Sequence, residues 1–270
     1  MKFTKMHGCQ NDFVIVNCFD ERVDNPSETA IRVCDRRQGV GADGLILILP
    51  TEGADAFMQI YNADGSKDTM CGNGIRCVAR YIYDHGLVSR DRKNFSIDTP
   101  AGLKHISLEA ELISVDMGEP VITSELPEAI NVNGRELKFF GIDTGTPHAV
   151  FFVEDNPALE KIFSWPDSKF ASEGAYFETH ERFPGRVTAD FIETLSRGEV
   201  NMRVFERGCG ETMACGTGAT ASVFAGFVAG KLGREVLVHL RGGDLTVKVA
   251  EDDHCFLIGP ALEIFSGEIF

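Results

Sequence analysis

Short apolar or alternating runs recur along the chain, each bounded by Gly, Asp, Asn or Pro. Examples are Phe13-Val14-Ile15-Val16, Leu45-Ile46-Leu47-Ile48-Leu49, Phe57-Met58-Gln59-Ile60-Tyr61, Ala149-Val150-Phe151-Phe152-Val153 and Val236-Leu237-Val238. Their length and punctuation predict β-strands. Two segments change period. From about Gly74 to His85, Ile75, Val78, Ala79 and Ile82 stand at i, i+3, i+4 and i+7, so the pattern predicts a helix with one apolar face. From about Gly218 to Ala229 nearly every residue is small or apolar, which predicts a helix buried all round. Gly86 and Gly230 follow these helices as C-terminal stops.

The two halves resemble each other. Cys71, Gly72, Gly74 and Gly86 fall on Cys215, Gly216, Gly218 and Gly230 at an offset of 144. Phe95–Gly102 and Val115–Gly118 match Val236–Gly243 and Phe256–Gly259 at 141, and Gly8–Val16 echoes Gly145–Val153 at 137. Ordered matches at a near-constant offset imply a duplicated domain, with a boundary near Met117–Glu125 where Gly, Pro, Ser and Glu accumulate.

Composition narrows the function. The 26 Lys and Arg against 41 Asp and Glu leave a formal charge of −15, which repels phosphate backbones and argues against nucleic-acid binding. No run reaches the length of a membrane helix, and the N-terminus lacks a signal-peptide apolar core. Eight cysteines in 270 residues are too sparse for a disulfide scaffold, so a cytoplasmic protein with free thiols is expected.

Two of those thiols carry the chemistry. Cys71-Gly72-Asn73-Gly74 and Cys215-Gly216-Thr217-Gly218 each set a cysteine and glycines at a helix start. First-turn amides have no acceptor within the helix, and with the helix dipole they favour an anion, while glycine admits a ligand close to the backbone. The same positive end stabilises a thiolate. Duplicated, the motif offers a carboxylate cradle and two thiols that could face each other across a cleft. Two bases on opposite faces of one carbon are what stereoinversion requires, one thiolate removing the α-proton and one thiol returning a proton. A four-thiolate metal site from the two C-x5-C spacings is disfavoured, because six helical residues turn Cys77 away from Cys71. Cys9, Cys18, Cys34, Cys77 and Cys255 read as small buried hydrophobes, with Cys9 and Cys209 beside glycine-rich turns. Gly39-Val40-Gly41-Ala42-Asp43-Gly44 satisfies a dinucleotide pattern, but a strand rather than a helix follows, so a tight turn is preferred.

The segments Lys5–Phe13, Asn62–Ser66 with Met70–Cys77, and Phe205–Gly208 with Glu211-Thr212 and Ala214–Gly218 resemble the diaminopimelate epimerase family, cofactor-independent amino-acid isomerases of lysine and peptidoglycan-precursor synthesis. The resemblance covers nearly the whole chain. It implies two pseudo-symmetric α/β domains, each a curved sheet wrapped around a central helix: residues 1–117 plus 262–270, and 118–261. It implies Cys71 and Cys215 as the two bases and the amides of Gly72, Asn73, Gly216 and Thr217 as the α-carboxylate cradle. Glu206 would take the α-ammonium, and Asn11, Asn62 and Arg207 would hold substrate. His148 would line the pocket. A homodimer with no cofactor, no metal and a small amino-acid substrate is expected. Thr146 and Thr188 depart from the family, which usually has Asn at both. The shorter hydroxyl lacks the amide donors that grip a distal carboxylate. The leading expectation is conversion of LL- to meso-diaminopimelate. A racemase of another amino acid, histidine for example, on the same scaffold is the alternative, and a silent binding protein with the same fold is a third reading.

Overall fold

A computed structural model describes residues 1–270, which form two compact units: Met1–Asp116 with Ile258–Phe270, and Met117–Leu257. In the first unit, Lys2–Gly8 lies between antiparallel neighbours Leu262–Glu268 and Asn11–Asn17. Asn11–Asn17 pairs in parallel with Gly44–Leu49, and α1 (Pro26–Cys34) occupies the crossover that parallel pairing demands. Gly44–Leu49 pairs antiparallel with Ala56–Asn62, which is flanked by the short Lys67–Asp68 and, in parallel, by Asn94–Asp98. Helix α2 (Gly72–Asp84) follows the short strand, and Lys104–Glu109 and Leu112–Gly118 complete a meander.

The second unit repeats the order of these main elements and adds the strand Glu128–Val132, which pairs antiparallel with Arg135–Asp143. Arg135–Asp143 pairs antiparallel with Pro147–Phe152, which pairs in parallel with Thr188–Ser196 around the crossover containing α3 (Asp167–Glu178). Thr188–Ser196 pairs with Glu199–Glu206, flanked by the short Gly210–Glu211 and, in parallel, by Glu235–Leu240. Helix α4 (Gly216–Val228) follows the short strand, then Gly243–Val249 and Cys255–Pro260, a strand whose residues from Ile258 on count with the first unit. Both central helices have 13 residues. Each contacts several strands of its own unit: α2 touches Lys2–Gly8, Asn11–Asn17 and Leu262–Glu268, and α4 touches Arg135–Asp143, Pro147–Phe152 and Gly243–Val249. Each unit is thus a sheet curved about a helix.

The continuous apolar runs are strands buried on both faces. In the first unit Val14, Val16, Leu45 and Leu47 pack with Ala30 and Val33 of α1. The alternate residues Phe13, Ile15, Ile46 and Ile48 are equally buried on the opposite face. The second unit is built on phenylalanines. The Phe191 ring lies 5.6 Å from Phe151, 5.5 Å from Phe170 and 5.0 Å from Phe177. Such pairs add about 0.5–1.5 kcal/mol each beyond area burial.

Both central helices begin two residues earlier than their apolar periodicity predicts, because Gly72 and Gly216 already have helical geometry behind a cysteine cap. Gly86 (φ +72°) and Gly230 (φ +71°) terminate them in the left-handed region. Helix α2 departs from its one-face prediction: the polar Asn73 and Arg76 are as buried as Ile75 and Val78. No helix is long and apolar enough to cross a membrane.

Candidate active site

Each unit builds the same cap. Cys71 is the N-cap of α2 in extended backbone, and its sulfur accepts the Gly74 N–H at 3.4 Å. Cys215 is the N-cap of α4, and its sulfur accepts the Gly218 N–H, also at 3.4 Å. Sulfur therefore takes the place usually held by a Ser or Asp oxygen. This leaves the amides of Gly72 and Asn73, and of Gly216 and Thr217, as first-turn groups without an acceptor in the helix.

In the first unit the surroundings of Cys71 are amides. Its thiol donates to Asn11 Oδ1 at 3.5 Å, and Asn73 Nδ2 donates to the same oxygen at 3.3 Å. Asn11 Nδ2 donates to Asp43 Oδ2 at 2.8 Å. Beneath them Arg76 is fully buried, donating to Gly72 O at 2.9 Å, Asn73 Oδ1 at 2.8 Å and Pro260 O at 3.3 Å, with Cys9 Sγ 3.7 Å away. Burial pulls the Arg76 guanidinium below its ordinary value; the thiols of Cys9, Cys77 and Cys71 pull the other way. Asn62 ends its strand in a turn, donating through Nδ2 to Ser66 Oγ at 3.0 Å.

Asp12 anchors this layer. It pairs with Lys5 at 2.6 Å and with Arg36 at 2.7 Å, and Arg36 reaches on to Asp43 at 2.9 Å. Burial alone would raise the Asp12 carboxyl, but the hydrogen bonds and charges of Arg36 and Lys5 outweigh it and bring it down to about 2. A carboxyl lowered on folding stabilises the native state above the unfolded value of about 4, and that stability is lost as pH falls through 2. Asp12→Asn is therefore expected to cost about 2 kcal/mol near pH 7, with the gap to wild type closing toward pH 2. Urea titrations across that range check it; a gap of constant size would contradict it.

In the second unit the surroundings of Cys215 are ionisable. Thr217 Oγ1 lies 3.3 Å from its sulfur, the Thr212 hydroxyl donates to Glu206, and the charge of Glu206 acts on the thiol. Burial, then the charges of Glu206 and Asp190, push the Cys215 thiol up. Burial likewise raises Glu206 and Asp190. Asp190 Oδ2 lies 2.8 Å from His148 Nδ1, and both side chains are wholly enclosed. Thr146 Oγ1 lies 3.0 Å from His148 Nε2. Thr188 Oγ1 accepts the Arg207 N–H at 3.2 Å, and Glu178 accepts the Gly208 N–H at 2.8 Å, clamping the turn that carries Glu206 and the exposed Arg207. The two departing threonines thus each hold a neighbour in place.

Within the first unit the structure brings together Cys71, Asn11, Gly72 and Asn73; within the second it brings together Cys215, Glu206, Thr217, His148 and Thr146. Sequence reasoning missed Arg76, Asp43 and Asp190. A charged residue inside the buried run Val187–Ile192 was the available signal for Asp190. All eight cysteines are free thiols; Cys9, Cys34, Cys77 and Cys255 are buried as expected, Cys18 is only half-buried, and Cys209 is exposed. Gly39–Asp43 is an irregular loop ahead of the Gly44–Leu49 strand, with Gly41 at φ +79°.

The model of the family described as diaminopimelate epimerase matches residues 3–123 and 140–263. A diaminopimelate epimerase of Agathobacter rectalis is 47% identical over 100% of this chain and 99% of its own length. Another, of Pelotomaculum thermopropionicum, is 45% identical over 99% of this chain and 98% of its own. Among solved structures, a hydroxyproline epimerase from Agrobacterium vitis superposes with a TM-score of 0.72 at 16% identity, covering 99% of this chain and 91% of that one. A probable proline racemase from Agrobacterium radiobacter K84 gives 0.74 at 15% identity, covering 100% and 92%. At such identities the structural likeness speaks for the fold.

Proposed function

The chain belongs to the diaminopimelate epimerase family, and from that membership and its doubled thiol cap we propose that it interconverts LL- and meso-diaminopimelate with Cys71 and Cys215 as the two bases. The observation that carries the reading is that each unit independently seats a thiol on the first turn of its central helix.

The first-turn amides of Gly72, Asn73, Gly216 and Thr217 hold the α-carboxylate. Negative charge grows on that carboxylate as the α-proton leaves, so donors already aimed at it stabilise the transition state more than the ground state. Glu206 holds the α-ammonium. One cysteine, as thiolate, takes the α-proton; the other, as thiol, delivers its proton to the opposite face, and the reverse reaction exchanges the roles. Burial and the charges of Glu206 and Asp190 favour the protonated form of Cys215. Asn11, Asn62 and Arg207 hold the remainder of the substrate, with His148 fixed at the pocket by Thr146 and Asp190. No cofactor enters this chemistry. Free thiols throughout fit a reducing cytoplasm, and the exposed Leu262, Ile264 and Phe265 on one strand fit a homodimer. The substrate places the reaction in lysine biosynthesis.

The histidine alternative gains nothing from Thr146 and Thr188, whose hydroxyls are engaged with His148 and the Arg207 backbone. The test is a substrate panel without added pyridoxal phosphate. LL-diaminopimelate is expected to convert to the meso form, with L-histidine turned over at least about 100-fold more slowly. Preference for histidine would establish the alternative, and no turnover of any amino acid would favour a binding protein.

A further inference from the structure

We infer that Asp43 and Arg76 are positioning residues for Cys71: a carboxylate and a guanidinium at opposite ends of a line of amides that together turn the Asn11 carbonyl oxygen onto the thiol. The line runs Arg76 Nη2 to Asn73 Oδ1 (2.8 Å), Asn73 Nδ2 to Asn11 Oδ1 (3.3 Å), and Asn11 Nδ2 to Asp43 Oδ2 (2.8 Å). Each amide has two possible orientations, and the charged ends select between them. Arg76 has only donors, so Asn73 must turn its oxygen to it and its NH2 toward Asn11. Ionised Asp43 has only acceptors, so Asn11 must turn its NH2 to it. The Asn11 oxygen is left facing Cys71 Sγ at 3.5 Å. Turning Asn11 over would set its oxygen against a carboxylate and its NH2 against the NH2 of Asn73.

Both ends are themselves fixed. Arg76 is enclosed and also bonded to Gly72 O; Asp43 accepts Arg36 at 2.9 Å and the Asp12 N–H at 3.1 Å. The second unit uses a related device. His148 corresponds to Asn11 at the duplication offset of 137, and it too is oriented by an acid, Asp190, from the strand paired in parallel with its own. The Gly39–Asp43 loop thereby acquires a role: it presents Asp43.

The proposal rests on Cys71 being a reactive base, and its test needs no substrate, so a failure to epimerise diaminopimelate would be read separately. The relative rates at which iodoacetamide alkylates Cys71 and Cys215 are followed by peptide mass mapping at one neutral pH, in wild type, Asp43→Asn, and Asp43→Asn combined with Asn11→Asp. In Asp43→Asn the Asn11 amide is released and can offer N–H to the sulfur, which favours the thiolate; Cys71 is expected to react about tenfold faster relative to Cys215. In the double variant the amide introduced at position 43 donates to the carboxylate introduced at position 11. A carboxylate oxygen then again accepts the thiol, and the rate is expected to return to or below that of wild type. Asp43 is exposed, so these variants keep the fold, and thermal melts verify that. In the epimerase assay Asp43→Asn is expected to lower kcat with little change in KM. An unchanged Cys71 rate in Asp43→Asn, or an equal rise in the single and double variants, would overturn the proposal.

Discussion

Alanine at Cys71 or at Cys215 is expected to reduce net inversion of the α-carbon by at least about 10³-fold, and each substitution alone should suffice. The two-base reading leaves no redundancy. A thiol carries one proton, so the sulfur that abstracts cannot also supply the proton to the other face. The remaining cysteine can still exchange the α-hydrogen on its own side, so single variants should wash deuterium into one stereoisomer without inverting it. Serine separates chemistry from structure at these positions. A hydroxyl is a stronger N-cap than a thiol and would keep or improve the bonds to Gly74 and Gly218. It remains protonated at neutral pH and is a poor base. Cys71→Ser and Cys215→Ser should therefore melt at or above the wild-type temperature while losing nearly all turnover. A serine variant with more than about a tenth of wild-type activity would contradict the assignment.

A second large expected effect, on stability, comes from one methyl group. A Cβ at Gly174, in the middle of α3, would lie 2.1 Å from Cδ2 of Phe205 and 2.5 Å from its Cγ. The ring cannot swing away freely, because Phe205 is buried in the second unit's aromatic core, its centroid 6.3 Å from that of Phe170. Alanine would improve the helix by about 1 kcal/mol, but overpacking a rigid aromatic core costs more, up to about 3 kcal/mol. Gly174→Ala is expected to lower the melting temperature by several degrees. It should also cut kcat, because Phe205 precedes Glu206 and the two share a strand. Gly185→Ala is the control: nothing lies within 4 Å of its would-be Cβ, and it should leave both quantities unchanged. Equal behaviour of the two variants, in differential scanning calorimetry and in turnover, would contradict this account of the core.

What could be read from the sequence was whatever repeats or alternates strongly. The strands around Val14, Leu45 and Val150 are unbroken apolar runs because both their faces are covered, and they stand where their pattern puts them. The duplicated cysteine-glycine motif located both caps. Helices α1 and α3 escaped notice for a physical reason. In α1 only Ala30, Val33 and Cys34 are buried, and in α3 a glycine interrupts the stripe between Phe170 and Phe177. Arg76 escaped because periodicity assigns a charged residue to the solvent side of a helix. Here backbone carbonyls and an amide oxygen satisfy it internally, which no local pattern reveals. Asp43 and Asp190 escaped for a related reason. Each acts on a residue more than 30 positions away, across a pair of parallel strands.

The most direct test of the central claim, that two monoprotic thiols serve opposite faces of one carbon, is the isotopic content of the first product formed in D2O. With LL-diaminopimelate and no added cofactor, nearly every initial meso molecule should carry deuterium at the inverted α-carbon, while unreacted substrate remains largely unlabelled. Product that keeps the substrate's own α-hydrogen would show that a single group carries the proton from one face to the other, and the paired-thiol account would be wrong.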